Sequence, residues 1–262
     1  METQEALTQY YSGYDEDGRL ASRHGSVEYL TTMRYIDRYL KPGMRILEIG
    51  AATGRYSHTL ARRGYVVDAV ELVEHNIEIF NQNTQPGENV TIHQGNAKDL
   101  SFLEDDTYDL TLLLGPMYHL FTVEEQLQAL NEALRVTKKG GILMAAYCGN
   151  DATIVQFCFG RGMLMEKRYQ ELIDPVTFKA SSDPAELFEL YRREDIDALM
   201  ARFSVERLHY VGTDMATNYM RECIDSMDDD FFAMYLRYHF AICERADMVG
   251  VSHHILDISR KR

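Results

Sequence analysis

The chain has 262 residues, 45% hydrophobic and 26% charged, with 27 Lys and Arg against 41 Asp and Glu for a formal net charge of −14. This composition excludes a disordered chain, and the length suits one large α/β domain or a core domain with a cap. Phosphate neutralisation needs clustered cations, so the acidic balance argues against a nucleic-acid partner. Four cysteines stand far apart without a CxxC pair, which reads as reduced thiols and offers no zinc spacing. The opening residues show no apolar signal segment, and no apolar run approaches the roughly 18 residues of a membrane span. A cytoplasmic location without a membrane partner is the expectation.

Residues 1–40 begin polar and rich in tyrosine, then turn helical: Val27, Leu30, Met33, Tyr35, Ile36 and Leu40 recur at steps of three and four. Lys41-Pro42-Gly43 stops that helix, because proline cannot continue it and glycine permits the reversal. From Arg45 strands and helices alternate. Strands are predicted near 45–49, 66–70, 90–93, 108–114 and 141–147, with helices near 55–63, 74–83 and 123–135.

Near-continuous apolar strands such as Leu110-Thr111-Leu112-Leu113-Leu114 imply a sheet covered on both faces. The expected fold is therefore α/β, a doubly wound Rossmann-like sheet, mostly parallel, with an antiparallel last strand and helical cap insertions. Ligands of such sheets sit at the carboxyl ends of the strands, here just after Ile49, Val70, His93 and Leu114. After Cys148 the alternation stops. Residues 150–182 read as irregular helix, and Asp183-Pro184 reads as the start of a helix running to about Met200. Residues 203–208 and 254–258 alternate like strands, with helical periodicity between them broken at Asp228-Asp229-Asp230. The expected organisation is 1–40 as lid and helix, 41–148 as cofactor-binding core, and 149–262 as the rest of the sheet with caps at about 150–182 and 214–250.

The strongest local signal is Ile46-Leu47-Glu48-Ile49-Gly50-Ala51-Ala52-Thr53-Gly54-Arg55-Tyr56. A strand ends in an acid, a glycine loop turns, and a helix begins whose unpaired amides can face a ligand. The pattern is E-x-G-x-x-x-G rather than the dinucleotide G-x-G-x-x-G. Glu71 ends the next strand, where a carboxylate can accept from both ribose hydroxyls. Asn96, after the third strand, offers a donor and an acceptor suited to an adenine edge. Gly115-Pro116 breaks the fourth strand and leaves Tyr118 and His119 at the rim of the expected cleft.

These four segments, in this order, resemble the class I S-adenosylmethionine-dependent methyltransferases. The family's loop is usually D/E-x-G-x-G-x-G, and Ala52 stands here at its middle glycine. Leu134-Arg135-Val136-Thr137-Lys138-Lys139-Gly140-Gly141 resembles the lead into strand five without its proline. More weakly, the whole chain resembles bacterial small-molecule members of the family through Gly18–Gly25, Gly115–Leu120 and Gly250–Leu256.

The resemblance implies a cofactor pocket for S-adenosylmethionine. Gly50, Ala51 and Gly54 would line its methionine and ribose side, with Glu48 nearby. Glu71 would hold the ribose, Leu72 would pack on the adenine, and Asn96 and Ala97 would reach the adenine edge. Leu114 and Gly115 would close beneath the sulfonium. Tyr11 and Tyr14 could lid the site, and Arg23 is a candidate partner for the cofactor carboxylate. A sulfonium is an activated leaving group, so catalysis reduces to positioning, with a base only where the acceptor holds its proton. His119, Tyr118 and His24 are the candidates for that role.

The expected activity is methyl transfer to a small-molecule acceptor. The alternatives are a non-catalytic S-adenosylmethionine sensor and, less favoured by the loop, a nicotinamide-dependent oxidoreductase. His253 and His254 are adjacent and would face opposite sides of a strand, so no metal is expected. Acceptor identity and oligomeric state are not written in the sequence.

Overall fold

A computed structural model of the protein describes residues 7, 8, 10, 11, 22–181 and 183–262. Tyr14 and the Gly18-Arg19-Leu20-Ala21 stretch lie outside the described residues. Helix α1 (Arg23–Tyr39) starts where Ser22 caps the Gly25 amide, and it buries Val27, Met33, Tyr35 and Ile36. Extended backbone at Leu40 ends it just before the Lys-Pro-Gly turn.

Eight strands form one sheet in the order β3-β2-β1-β4-β5-β8-β7, with short β6 beside β5. They are β1 (Arg45–Ile49), β2 (Val66–Glu71), β3 (Val90–Gln94), β4 (Tyr108–Leu113), β5 (Thr137–Gly149), β6 (Leu190–Tyr191), β7 (Val205–Gly212) and β8 (His254–Lys261). β1 pairs in parallel with β2 on one side and β4 on the other, so the strand order reverses at β1. β8 runs antiparallel to both β5 and β7. The sheet is thus doubly wound and Rossmann-like, with one antiparallel strand at the end of the chain.

Successive side chains of β1 feed opposite cores, as the two-residue period requires. Leu47 and Ile49 join a cluster with Leu113, Leu130, Leu143 and Tyr147. Ile46 joins the other face with Ile36, Leu60, Leu112, Met144 and Leu256. The covering helices include α2 (Arg55–Arg62), α3 (Glu74–Asn83) and α4 (Val123–Val136).

The cap segments depart from the sequence reading at one place. Asp183-Pro184 opens only a single 3-10 turn, Pro184–Glu186, in which Asp183 caps the Ala185 amide. Leu187 then takes a left-handed φ of 68° and breaks the run. The helix expected there begins later, as α5 (Arg193–Met200). Between β7 and β8, Asp228 caps α6 (Asp229–Ile242) through the Phe231 amide, so the run of aspartates is a helix start. No helix among the described residues is long and apolar enough to cross a membrane.

Candidate active site

The carboxyl ends of β1, β2, β3 and β4 open into a cavity of about 570 Å³. Its wall begins at the turn after β1. Gly50 and Gly54 have φ of 80° and 91°, and Ala52 between them adopts 46°, a conformation that costs a residue with a Cβ. Alanine therefore keeps the bend that glycine would take more easily. The amides of Gly50 and Ala51 donate to the Val70 carbonyl at 2.8 and 3.1 Å, which locks the loop to β2.

Glu71 completes that lock. One carboxylate oxygen accepts from the Ala52 amide at 2.8 Å; the other accepts from the Val73 amide at 2.9 Å and from Asn76 Nδ2 at 3.3 Å. Burial raises its pKa, and these donors oppose the rise. Glu48, one strand over, accepts from the Ser57 amide at 2.9 Å and from the Ser57 hydroxyl. Burial, with a contribution from the Glu71 charge, pushes its carboxyl up to about 8 against those bonds. Leu72, Asn96, Ala97, Leu114 and Gly115 line the same cavity. Asn96 Oδ1 accepts from the Lys98 amide at 3.0 Å, which orients the side chain.

The opposite rim is aromatic. His119 Nδ1 donates to the Leu187 carbonyl at 2.7 Å, because a carbonyl only accepts. Its Nε2 therefore accepts from the Tyr11 hydroxyl at 2.8 Å. Burial holds the imidazole down to about 4, so this ring is neutral. Tyr118 and Phe188 pack on it at ring distances of 4.9 and 5.2 Å. The strap carrying Leu187 is tied down by the Glu189 amide on the Tyr118 carbonyl at 2.8 Å and by the Tyr191 hydroxyl on the Met117 carbonyl at 2.7 Å.

Of the residues singled out from sequence, the cavity gathers Tyr11, Glu48, Gly50, Ala51, Glu71, Leu72, Asn96, Ala97, Leu114, Gly115, Tyr118 and His119. Three others stand elsewhere. Arg23 pairs with Asp229 at 2.9 Å and lies over Phe232, so it braces α1 against α6 and does not line the cavity. His24 is held by Asp225 through both its backbone amide (2.9 Å) and Nδ1 (2.7 Å). Gly54 is the cap of α2, and a Cβ there would sit 2.5 Å from Phe80 and 2.6 Å from His58, so its requirement is packing.

Sequence reasoning missed Glu28 and Thr32 on α1, and Thr213 and His254 flanking the cap, all of which line the cavity. The helical step between Glu28 and Thr32 and the alternation at 254–258 were visible; their convergence, with His254 Nδ1 3.3 Å from Glu28, arises only in the folded chain.

Comparison with known proteins follows this geometry. Residues 46–141 match the family described as "Methyltransferase domain". A demethylmenaquinone methyltransferase of Clavibacter sepedonicus is 32% identical over 158 residues, 60% of this chain and 59% of the relative. A ubiquinone biosynthesis O-methyltransferase of Methylocella silvestris is 30% identical over 141 residues, 53% and 52% of the two chains. Residues 46–141 are thus similar to a methyltransferase domain. The alignments of this chain span less than two thirds of those curated relatives. The fold is shared over the full length with the crystal structure of a Thermotoga maritima S-adenosylmethionine-dependent methyltransferase described as a possible histamine N-methyltransferase, with TM-score 0.59, 19% identity and all of both chains covered.

Proposed function

We propose that this methyltransferase transfers a methyl group from S-adenosylmethionine to a small-molecule acceptor held beneath the cap. The observation that carries this reading is the continuity of the cavity. One space of about 570 Å³, within the range of small-molecule sites, runs from the β1–β2 loops to Tyr11, His119, Pro184 and His254.

The donor set fits the cofactor. Glu71 offers a buried carboxylate for vicinal hydroxyls, Asn96 and Ala97 face the position of a base edge, and Glu48 offers a carboxyl to a cationic amine. When bound, S-adenosylmethionine supplies a methyl group already activated on sulfur. The chain then has to align the acceptor and keep water out. Leu114 and Gly115 form the floor between the two halves, and the His119 aromatic cluster closes the rim.

Calorimetric titration with S-adenosylhomocysteine tests the cofactor half, with Glu71→Ala and Glu71→Gln as controls. Binding by the wild type that weakens in both variants supports the reading; no binding by the wild type overturns it. Release of S-adenosylhomocysteine over a panel of small hydroxyl and amino compounds tests the acceptor half. Tight binding with no turnover across the panel would favour a cofactor sensor.

A further inference from the structure

His119 turns its two ring nitrogens to different parts of the site. Nδ1 meets the Leu187 carbonyl at 2.7 Å, and a carbonyl only accepts, so that nitrogen carries the proton. Leu187 holds its carbonyl there with a left-handed φ of 68°, a conformation uncommon outside glycine. Burial keeps the ring neutral, which leaves a lone pair on Nε2. At 2.8 Å that nitrogen meets the hydroxyl of Tyr11, 108 positions earlier in the chain, and both residues line the cavity. The Nε2 seat is thus filled by a phenol of the chain itself, its ring edge to face with the imidazole at 5.7 Å and 90°. Tyr118 and Phe188 pack around the same imidazole. A Cβ placed on Gly115 would lie 3.6 Å from the Tyr118 hydroxyl and 3.7 Å from the Gly50 carbonyl. The aromatic group therefore stands beside the ends of β1 and β4, where the strand order reverses and ligands of such sheets bind.

We propose that His119 Nε2 is the seat of the methyl acceptor's hydroxyl, that the acceptor is a neutral phenol-type compound, and that Tyr11 fills the seat until the acceptor displaces it. The inference rests on the methyltransferase reading of the cavity and deepens it by naming the acceptor class. An incoming phenol donates to Nε2 as Tyr11 does, and its ring takes over the edge-to-face contact with His119. An ether of the same shape leaves Nε2 buried and unpaired, so the site selects for the hydroxyl. A phenolate has no proton to donate and is not selected.

The probe is 4-methylphenol, the tyrosine side chain without its backbone. Its methyl ether, 4-methylanisole, lacks the donor, and 4-methylaniline is a weaker one. Each is titrated calorimetrically into protein saturated with S-adenosylhomocysteine at about pH 7, where the phenol is neutral. The phenol is expected to bind at least about tenfold tighter than the ether. His119→Phe should bring the two within about twofold, and His119→Gln, whose amide oxygen also accepts, should keep part of the preference. Tyr11→Phe removes the competing hydroxyl, so the phenol should bind about two- to tenfold tighter. S-adenosylhomocysteine binding reports that each variant is folded. Equal affinity for phenol and ether, tighter binding of 4-methylaniline, or no saturable binding of the phenol overturns the proposal. So does a hydroxyl preference that survives His119→Phe, or weaker phenol binding by Tyr11→Phe. Failure of S-adenosylhomocysteine to bind the wild type would instead remove the cofactor reading on which the proposal stands.

Discussion

The Ala52 amide donates to the Glu71 carboxylate at 2.8 Å, so the loop after β1 is held in shape by a side chain from the end of β2. The residue proposed to bind the ribose is thus also the brace of the loop proposed to bind the rest of the cofactor. Glu71→Ala removes a charge-assisted bond and leaves the Ala52 and Val73 amides unpaired. S-adenosylhomocysteine affinity should fall at least about tenfold, since bonds to charged groups contribute about 1.5–3 kcal/mol. Calorimetry at fixed pH reads the change, and an unchanged Kd would refute the assignment.

Ala52 pays for its left-handed φ of 46°. Ala52→Gly relieves a strain of about 1–2 kcal/mol and loses about 0.4–1 kcal/mol through the freer unfolded chain. The melting temperature should hold or rise slightly, with cofactor affinity unchanged. Ala52→Val, branched at Cβ, should lower it. Thermal denaturation of the two variants side by side decides the matter.

Glu48 is expected to couple cofactor binding to pH. Its carboxyl is pushed up to about 8, chiefly by burial, and the cationic amine of the cofactor would favour the ionised form. Binding then expels a proton, so affinity should increase as pH rises toward about 8, by at most about tenfold per unit. Titrations in buffers of different ionisation enthalpy count the proton directly. Glu48→Gln should abolish the dependence.

Three histidines, the half-buried His119 and the buried His239 and His253, are each held down to about 4 by desolvation, against an ordinary value of 6.5. Between those values the unfolded chain binds more protons than the folded one. Their contribution is therefore complete above about 6.5 and is lost as pH falls toward about 4. His254 is raised instead, so its contribution is retained across that acid range and declines only at higher pH. His253 packs against Phe157 and Tyr219 with both ring nitrogens unpartnered, which makes it the most informative position. His253→Leu should flatten the fall in melting temperature between pH 6.5 and 4 and raise stability at the acid end. An unchanged profile would remove His253 from the account.

The sequence by itself determined the sheet apart from short β6, and it supplied the residues proposed here for the cofactor half of the site. Apolar strands of five or six residues, each ended by a glycine or an acid, carry both their secondary structure and their place at a strand end; Gly50, Glu71, Gly95 and Gly115 are examples. β1, β2 and β3 are consecutive in the chain and adjacent in the sheet, so local order and spatial order coincide there. The wall proposed to face the acceptor was decided by tertiary structure. Glu28 and His254 are 226 positions apart, and only the folded chain makes them neighbours at 3.3 Å. Arg23 and His24, one turn earlier on the same helix, were turned instead toward Asp229 and Asp225. Which face of α1 meets the cavity depends on the packing of the whole helix. A charged residue's sequence neighbours do not encode the carboxylate it will find across a fold, because Coulomb attraction acts through space and not along the chain.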